Sequence, residues 1–229
     1  MSNLKKITED VAAVIIEPIQ GGKGFIPAQK KWLREIKRIC TKNKIILIFD
    51  EIQTCFGRTG KLFGFENYNI IPDILCLAKG MGGGMPIGCF ISSNKNMSKL
   101  SENPPLGHIT TFGGHPISCI AALTTLNELI KSDLIKNVLI KEKRFRENLI
   151  HDQISEINGR GLMLAIKFKT KDFCEKVIKE CHKKGILTFY FLNEKKSMRI
   201  SPPINIKKRD IIKSCKLIMK AIENCSNNI

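Results

Sequence analysis

Aromatic residues are scarce in this sequence, at 7%, with one Trp and two Tyr. They do not interleave with the basic residues, as a platform for stacking bases requires. Acidic residues are also few, 21 Asp and Glu against 38 Lys and Arg, for a net charge of +17. Such a charge admits nucleic-acid binding. Here the basic residues run along the whole chain, and the densest run, Ile206-Lys207-Lys208-Arg209, opens a predicted helix. The charge is therefore read as a bias toward Lys, with no nucleic-acid partner expected. No apolar run reaches about 18 residues, which excludes a membrane-spanning helix. The opening MSNLKKITEDV has no apolar core and reads as neither signal peptide nor anchor. The 9 cysteines form no C-x-x-C pair, so neither a zinc site nor a disulfide frame is expected. Free thiols in a reducing cytoplasm are the expectation.

What the chain does have is apolar residues at 43% over 229 positions, enough for one large domain or one and a half. The stretch from Ile45 to Gly88 organises the rest. The apolar run Ile45 to Phe49 ends in Asp50-Glu51, and Ile74 to Ala78 ends in Lys79, followed by Gly80, Gly82, Gly83 and Gly84. Such runs suit central strands of a parallel sheet. Ligands in open α/β sheets sit beyond the carboxyl ends of the strands, so Asp50 and Lys79 are expected to face one crevice. The glycines allow backbone to approach a ligand closely.

Three pieces of this stretch, FDEIQT (Phe49 to Thr54), FGRTG (Phe56 to Gly60) and LAKGMGGGMPIG (Leu77 to Gly88), resemble the cofactor site of class III, omega-type aminotransferases. EPIQGGKG, from Glu17 to Gly24, resembles the segment after a central strand in that family. The resemblance implies pyridoxal 5'-phosphate as cofactor. It places Asp50 against the pyridine nitrogen, where a carboxylate favours the protonated ring, a better electron sink. It places Gln53 against the ring or its phenolic oxygen. Lys79 becomes the Schiff-base lysine and the proton carrier. Its amine must be neutral to attack, a form that burial favours. Glu51 and Arg58 match the family as well, but a structural ion pair explains them equally well, and they stay outside the expected site.

Around this centre the spacing predicts a strand at Val11 to Pro18 and a helix from Ala28 to Asn43, with Trp32 in the core. A strand is expected at Cys89 to Ser92 and a long helix at Ile117 to Ile130. In LGHITTFGGHP, Thr110 and Thr111 precede two glycines and that helix, a combination that favours a phosphate. The alternative is a capping box with no ligand. The resemblance has these threonines reaching across a dimer interface to the partner's cofactor phosphate. His108 and His115 lack a second ligand at metal spacing and are taken as structural, with no metal expected.

The remainder predicts a helix from Ile135 to His151 and a hairpin over Ile154 to Phe168 turning at Asn158-Gly159. A helix at Lys171 to Lys184, a strand at Ile186 to Leu192 and a helix at Lys207 to Cys225 follow. Arg199, in MRISPPINI, matches a family arginine that holds a substrate carboxylate, a task suited to a planar guanidinium. The alternative is a surface arginine on an edge strand. Where the family often has an acidic residue, this chain has Gly22.

The implied fold is α/β, part of the large domain of a fold-type I pyridoxal-phosphate transferase over 1–131, with a mostly parallel sheet and helices. A C-terminal α+β small domain follows over 132–229. The resemblance covers nearly the whole chain but only the later half or so of a typical member, nearest the acetylornithine and ornithine group. It implies a cytoplasmic, homodimeric transaminase. The amino group would pass from an ornithine-like or other omega-amine donor to a 2-oxo acid such as 2-oxoglutarate. The rest of the fold would come from a separate N-terminal polypeptide, or the chain would be a truncated form. Two other readings stay open: a non-catalytic remnant or structural partner of an aminotransferase, and a basic nucleic-acid-binding protein.

Overall fold

The apolar runs ending at Asp50 and before Lys79 are neighbouring strands of one sheet. A computed structural model describes residues 4, 5, 7–105 and 108–227. It divides into two compact units. The first takes in the described residues up to Pro18, Ala28–Phe56 and Leu62–Ser132; the second takes in Ile19–Pro27, Gly57–Lys61 and the residues from Asp133 onward. The second unit therefore draws on two early segments as well as the C-terminal part.

The first unit holds β1 (Ala13–Ile16), α1 (Lys30–Asn43), β4 (Ile46–Asp50), β5 (Ile74–Leu77), β6 (Cys89–Ser92), α2 (Asn94–Met97) and α3 (Pro116–Lys131). The short strands β2 (Ile19–Gln20) and β3 (Ile26–Pro27) belong to the second unit. The four-stranded sheet runs β1-β4-β5-β6, with β1, β4 and β5 parallel and β6 antiparallel. Residues directly paired across strands share a face, and successive residues alternate. Leu47, Phe49, Leu75 and Leu77 fall on one face and are buried, with α1 packed against β4. The α1 stripe Leu33, Ile36 and Cys40 is buried at helical spacing. Trp32 is only half-buried, beside the expected core stripe.

Ile15, Ile48, Ile74, Cys76 and Phe90 fall on the other face. Ile48, Ile74 and Cys76 are half-buried, and Ile15 and Phe90 are exposed at 64% and 44%. Parallel sheets are ordinarily covered on both sides. Asp50, in register with Cys76, lies on this more open face.

The second unit contains α4 (Val138–Asn148), β7 (Ile154–Arg160), β8 (Met163–Phe168), α5 (Lys171–Lys183), β9 (Ser197–Ile200) and α6 (Lys208–Ser226). Its three-stranded antiparallel sheet runs β7-β8-β9. The main core joins Val138, Phe145, Leu164, Ile166, Val177, Ile211 and Ile222.

Two expectations are corrected here. The hairpin turns at Gly161-Leu162, not at Asn158-Gly159, because Arg160 pairs with Met163. Gly161 takes the left-handed φ of 65° that this two-residue turn needs, and the Leu162 amide donates to the Arg58 carbonyl. Ile186 to Leu192 is not a strand. Among the described residues Tyr190 alone of this stretch makes a bridge, to Met198, and Leu187, Phe189 and Leu192 stay exposed while Phe191 is buried.

Candidate active site

Asp50 is the last residue of β4, and Lys79 lies just past the end of β5, which runs parallel beside it. Both therefore stand beyond the carboxyl edge of the sheet, where the strand order places a ligand crevice. Asp50 Oδ1 accepts the Ile52 amide at 3.1 Å, which fixes one carboxylate oxygen. Gln53 follows in the same turn and is half-buried.

Lys79 opens a 3₁₀ turn, Lys79–Gly82, that packs against α3. Its backbone sits at φ 44°, a conformation that costs a residue with a Cβ on the order of 1 kcal/mol. Its side chain is exposed, contrary to the burial expected from its role.

Glu51 explains how the tip is held. Its carboxylate is buried and accepts the backbone amides of Gly64 and, at 2.6 Å, Phe65, together with the Thr54 hydroxyl at 3.1 Å. Burial pushes its pKa up, and these donors pull it back down. Arg58 donates to the carbonyls of Leu162 and Pro202 at 3.1 and 2.6 Å. Both residues are structural, through backbone partners.

Thr110 and Thr111 are exposed ahead of α3. Neither caps it: the N-cap is His115, with no side-chain capping bond, so the capping-box alternative is not what the structure holds. The Thr110 carbonyl accepts the Gly113 amide at 3.1 Å. Leu106 and Gly107, which open this motif, lie outside the described residues. A His108 ring nitrogen lies 2.9 Å from the Leu100 carbonyl. Among the described residues no group of three or more His, Cys, Asp or Glu is placed to hold a metal ion. All 9 cysteines are free thiols.

Arg199 belongs to the second unit, on β9. Its guanidinium lies over the Phe191 and Phe25 rings, with the central carbon 4.5 and 5.3 Å from the two centroids. One Nη donates to the Gly21 carbonyl at a long 3.4 Å, and among the described residues the buried Nε has no partner. Burial lowers its pKa. Sequence reasoning missed Phe25 and Phe191, because their approach to Arg199 is a long-range contact that no local spacing signals.

The fit to pyridoxal phosphate rests on the donor set. A carboxylate and a primary amine stand past adjacent strand tips, and the Gly83-Gly84 backbone that follows Lys79 in sequence lies exposed.

Comparison with known proteins bears on the family. A putrescine aminotransferase from Pectobacterium atrosepticum is 40% identical, covering 95% of this chain and 48% of its own length. The chain thus spans about half the length of this curated relative. The solved N-acetylornithine aminotransferase from Stenotrophomonas maltophilia matches all of this chain and 60% of its own at 30% identity, with a TM-score of 0.87. Ornithine delta-aminotransferase from Plasmodium falciparum matches 98% of this chain and 60% of its own at 28% identity, with a TM-score of 0.89. The model of the family described as aminotransferase class-III matches residues 1–222, and the chain belongs to that family.

Proposed function

We propose that the chain forms the later part of a pyridoxal-phosphate-dependent transaminase that moves an amino group from an omega-amine donor to a 2-oxo acid. The placement of Asp50 and Lys79 past adjacent parallel strand tips carries this reading. The cofactor, when bound, supplies the electron sink for the substrate carbon. Asp50 keeps its ring nitrogen protonated through the opposite charge. The Lys79 amine carries the proton to and from the substrate carbon. Gln53 holds the ring, and Thr110 and Thr111 offer hydroxyls to the phosphate of a partner protomer's cofactor. Arg199 binds the carboxylate of the oxo acid with its unmet N–H donors. The donor belongs to the class that includes putrescine, ornithine and N-acetylornithine, and 2-oxoglutarate is the acceptor.

The open sheet face and exposed Lys79 support a further element of the proposal. Residues equivalent to those that the relatives carry beyond this span cover both, and the working unit is a cytoplasmic homodimer. The same exposure favours a second reading, a non-catalytic partner of a complete aminotransferase.

Coupled amino transfer separates the two. The chain would be assayed alone and with a polypeptide equivalent to the remaining half of the Pectobacterium relative. Glutamate formation from 2-oxoglutarate with one of the three amines, absent in Lys79→Ala, supports the transaminase. No transfer in either condition, with the two polypeptides still binding each other, supports the partner role.

A further inference from the structure

The structure assigns Phe25 and Phe191 as a positioning pair that holds the Arg199 guanidinium ready for a carboxylate. The assignment rests on the carboxylate role proposed above for Arg199.

The two rings meet edge to face, with centroids 4.6 Å apart and planes at 88°. Both are buried, at 1% and 0% exposure, in a small core with Ile19, Met163 and Ala165. Such a pair has little freedom to move, because each ring blocks rotation of the other. Phe25 also has a left-handed backbone, at φ 52°, immediately after Gly24. This costs stability for a bulky residue and persists only where the surroundings demand it.

Arg199 meets both rings, within the roughly 6 Å over which a cation is attracted to a ring face. A half-buried guanidinium ordinarily finds a carboxylate. Among the described residues none forms an ion pair with Arg199. Among the described residues its side-chain hydrogen bonding amounts to the long contact with Gly21. The rings thus compensate part of the desolvation of the cation while consuming none of its donors. A carboxylate side chain in their place would offset the charge but occupy the fork. The aromatic solution leaves the buried Nε–H and the remaining N–H groups for an incoming acid. The backbone holds the base of the side chain equally firmly. The Arg199 amide donates to the Phe189 carbonyl at 2.9 Å, and its carbonyl accepts the Thr188 hydroxyl at 2.6 Å.

The test uses glutarate, a dicarboxylate that cannot accept an amino group, titrated into the full chain. The readout is heteronuclear NMR of the arginine Nε–H groups, with Arg199→Lys identifying the Arg199 signal. Ring currents from Phe191 and Phe25 place that signal upfield, and glutarate moves it downfield as the bond forms. Replacing Phe191 with trifluorophenylalanine keeps the ring's volume but weakens its negative face. It is expected to weaken glutarate binding about threefold with thermal stability kept. Phe191→Leu is expected to lose the upfield position and to weaken binding further. An Nε–H that ignores glutarate in the unaltered chain overturns the carboxylate role, and the positioning proposal with it. Glutarate affinity unchanged in both Phe191 variants overturns the positioning alone.

Discussion

The carboxylate of Glu51 accepts the backbone N–H of Gly64, and so ties the end of the strand that delivers Asp50 to the 3₁₀ turn at Gly64–Asn67. Removing it leaves the Gly64 and Phe65 amides and the Thr54 hydroxyl without their acceptor in a buried place. Glu51→Ala is expected to cost on the order of 3 kcal/mol, read as a lowered denaturant midpoint. The pH dependence has a definite sign. Burial raises the folded pKa of Glu51 above its ordinary value, so the folded protein holds this proton more tightly than the unfolded chain. The stabilisation is complete below the ordinary glutamate value and is lost as pH rises through the raised folded one. The Ala variant is expected to lose that part of the pH slope.

Thiol reactivity is expected to follow burial. Burial pushes Cys55, Cys174 and Cys181 up to about 12 and Cys215 up to about 11. The thiolate is the reacting form, so these thiols are inert in the fold. Cys119 lies exposed on α3. Maleimide labelling followed by peptide mapping is expected to mark Cys119 first, and Cys55, Cys174, Cys181 and Cys215 only on unfolding. Native labelling of Cys174 as fast as that of Cys119 contradicts this packing.

Gly159 lies within β7 at φ 108°, and a Cβ there would collide with the Met163 carbonyl across the hairpin. Gly159→Ala is expected to cost roughly 2 kcal/mol or more, measured by denaturant unfolding. A neutral substitution would contradict this placement of the Gly159 backbone against Met163.

That hairpin shows where local signals stop. The central strands can be read from the sequence because continuous apolar runs have few other uses, and Asp50 and Lys79 interrupt them abruptly. An Asn-Gly pair is also a strong turn signal, but the register of β7 on β8 outweighs it. Ile186 to Leu192 alternates well, yet it forms a single bridge, and its apolar side chains divide: Phe191 is buried while Leu187, Phe189 and Leu192 stay exposed. The transfer of Ile19–Pro27 and Gly57–Lys61 to the second unit depends on long-range packing that no window contains. The backbone partners of Arg58 and the rings beneath Arg199 are invisible for the same reason. The exposure of Lys79 depends on what covers a strand tip, which composition around the lysine does not encode.

The proposed transaminase requires Asp50 and Lys79 to serve one ring. Borohydride reduction in the presence of pyridoxal phosphate fixes the cofactor onto the lysine it has joined, and peptide mapping identifies that lysine. The account predicts a single dominant labelled peptide containing Lys79, in the chain alone or paired with the remaining half of the fold, with labelling sharply reduced in Asp50→Ala. Label spread over many surface lysines in both conditions, unchanged by Asp50→Ala, would contradict it.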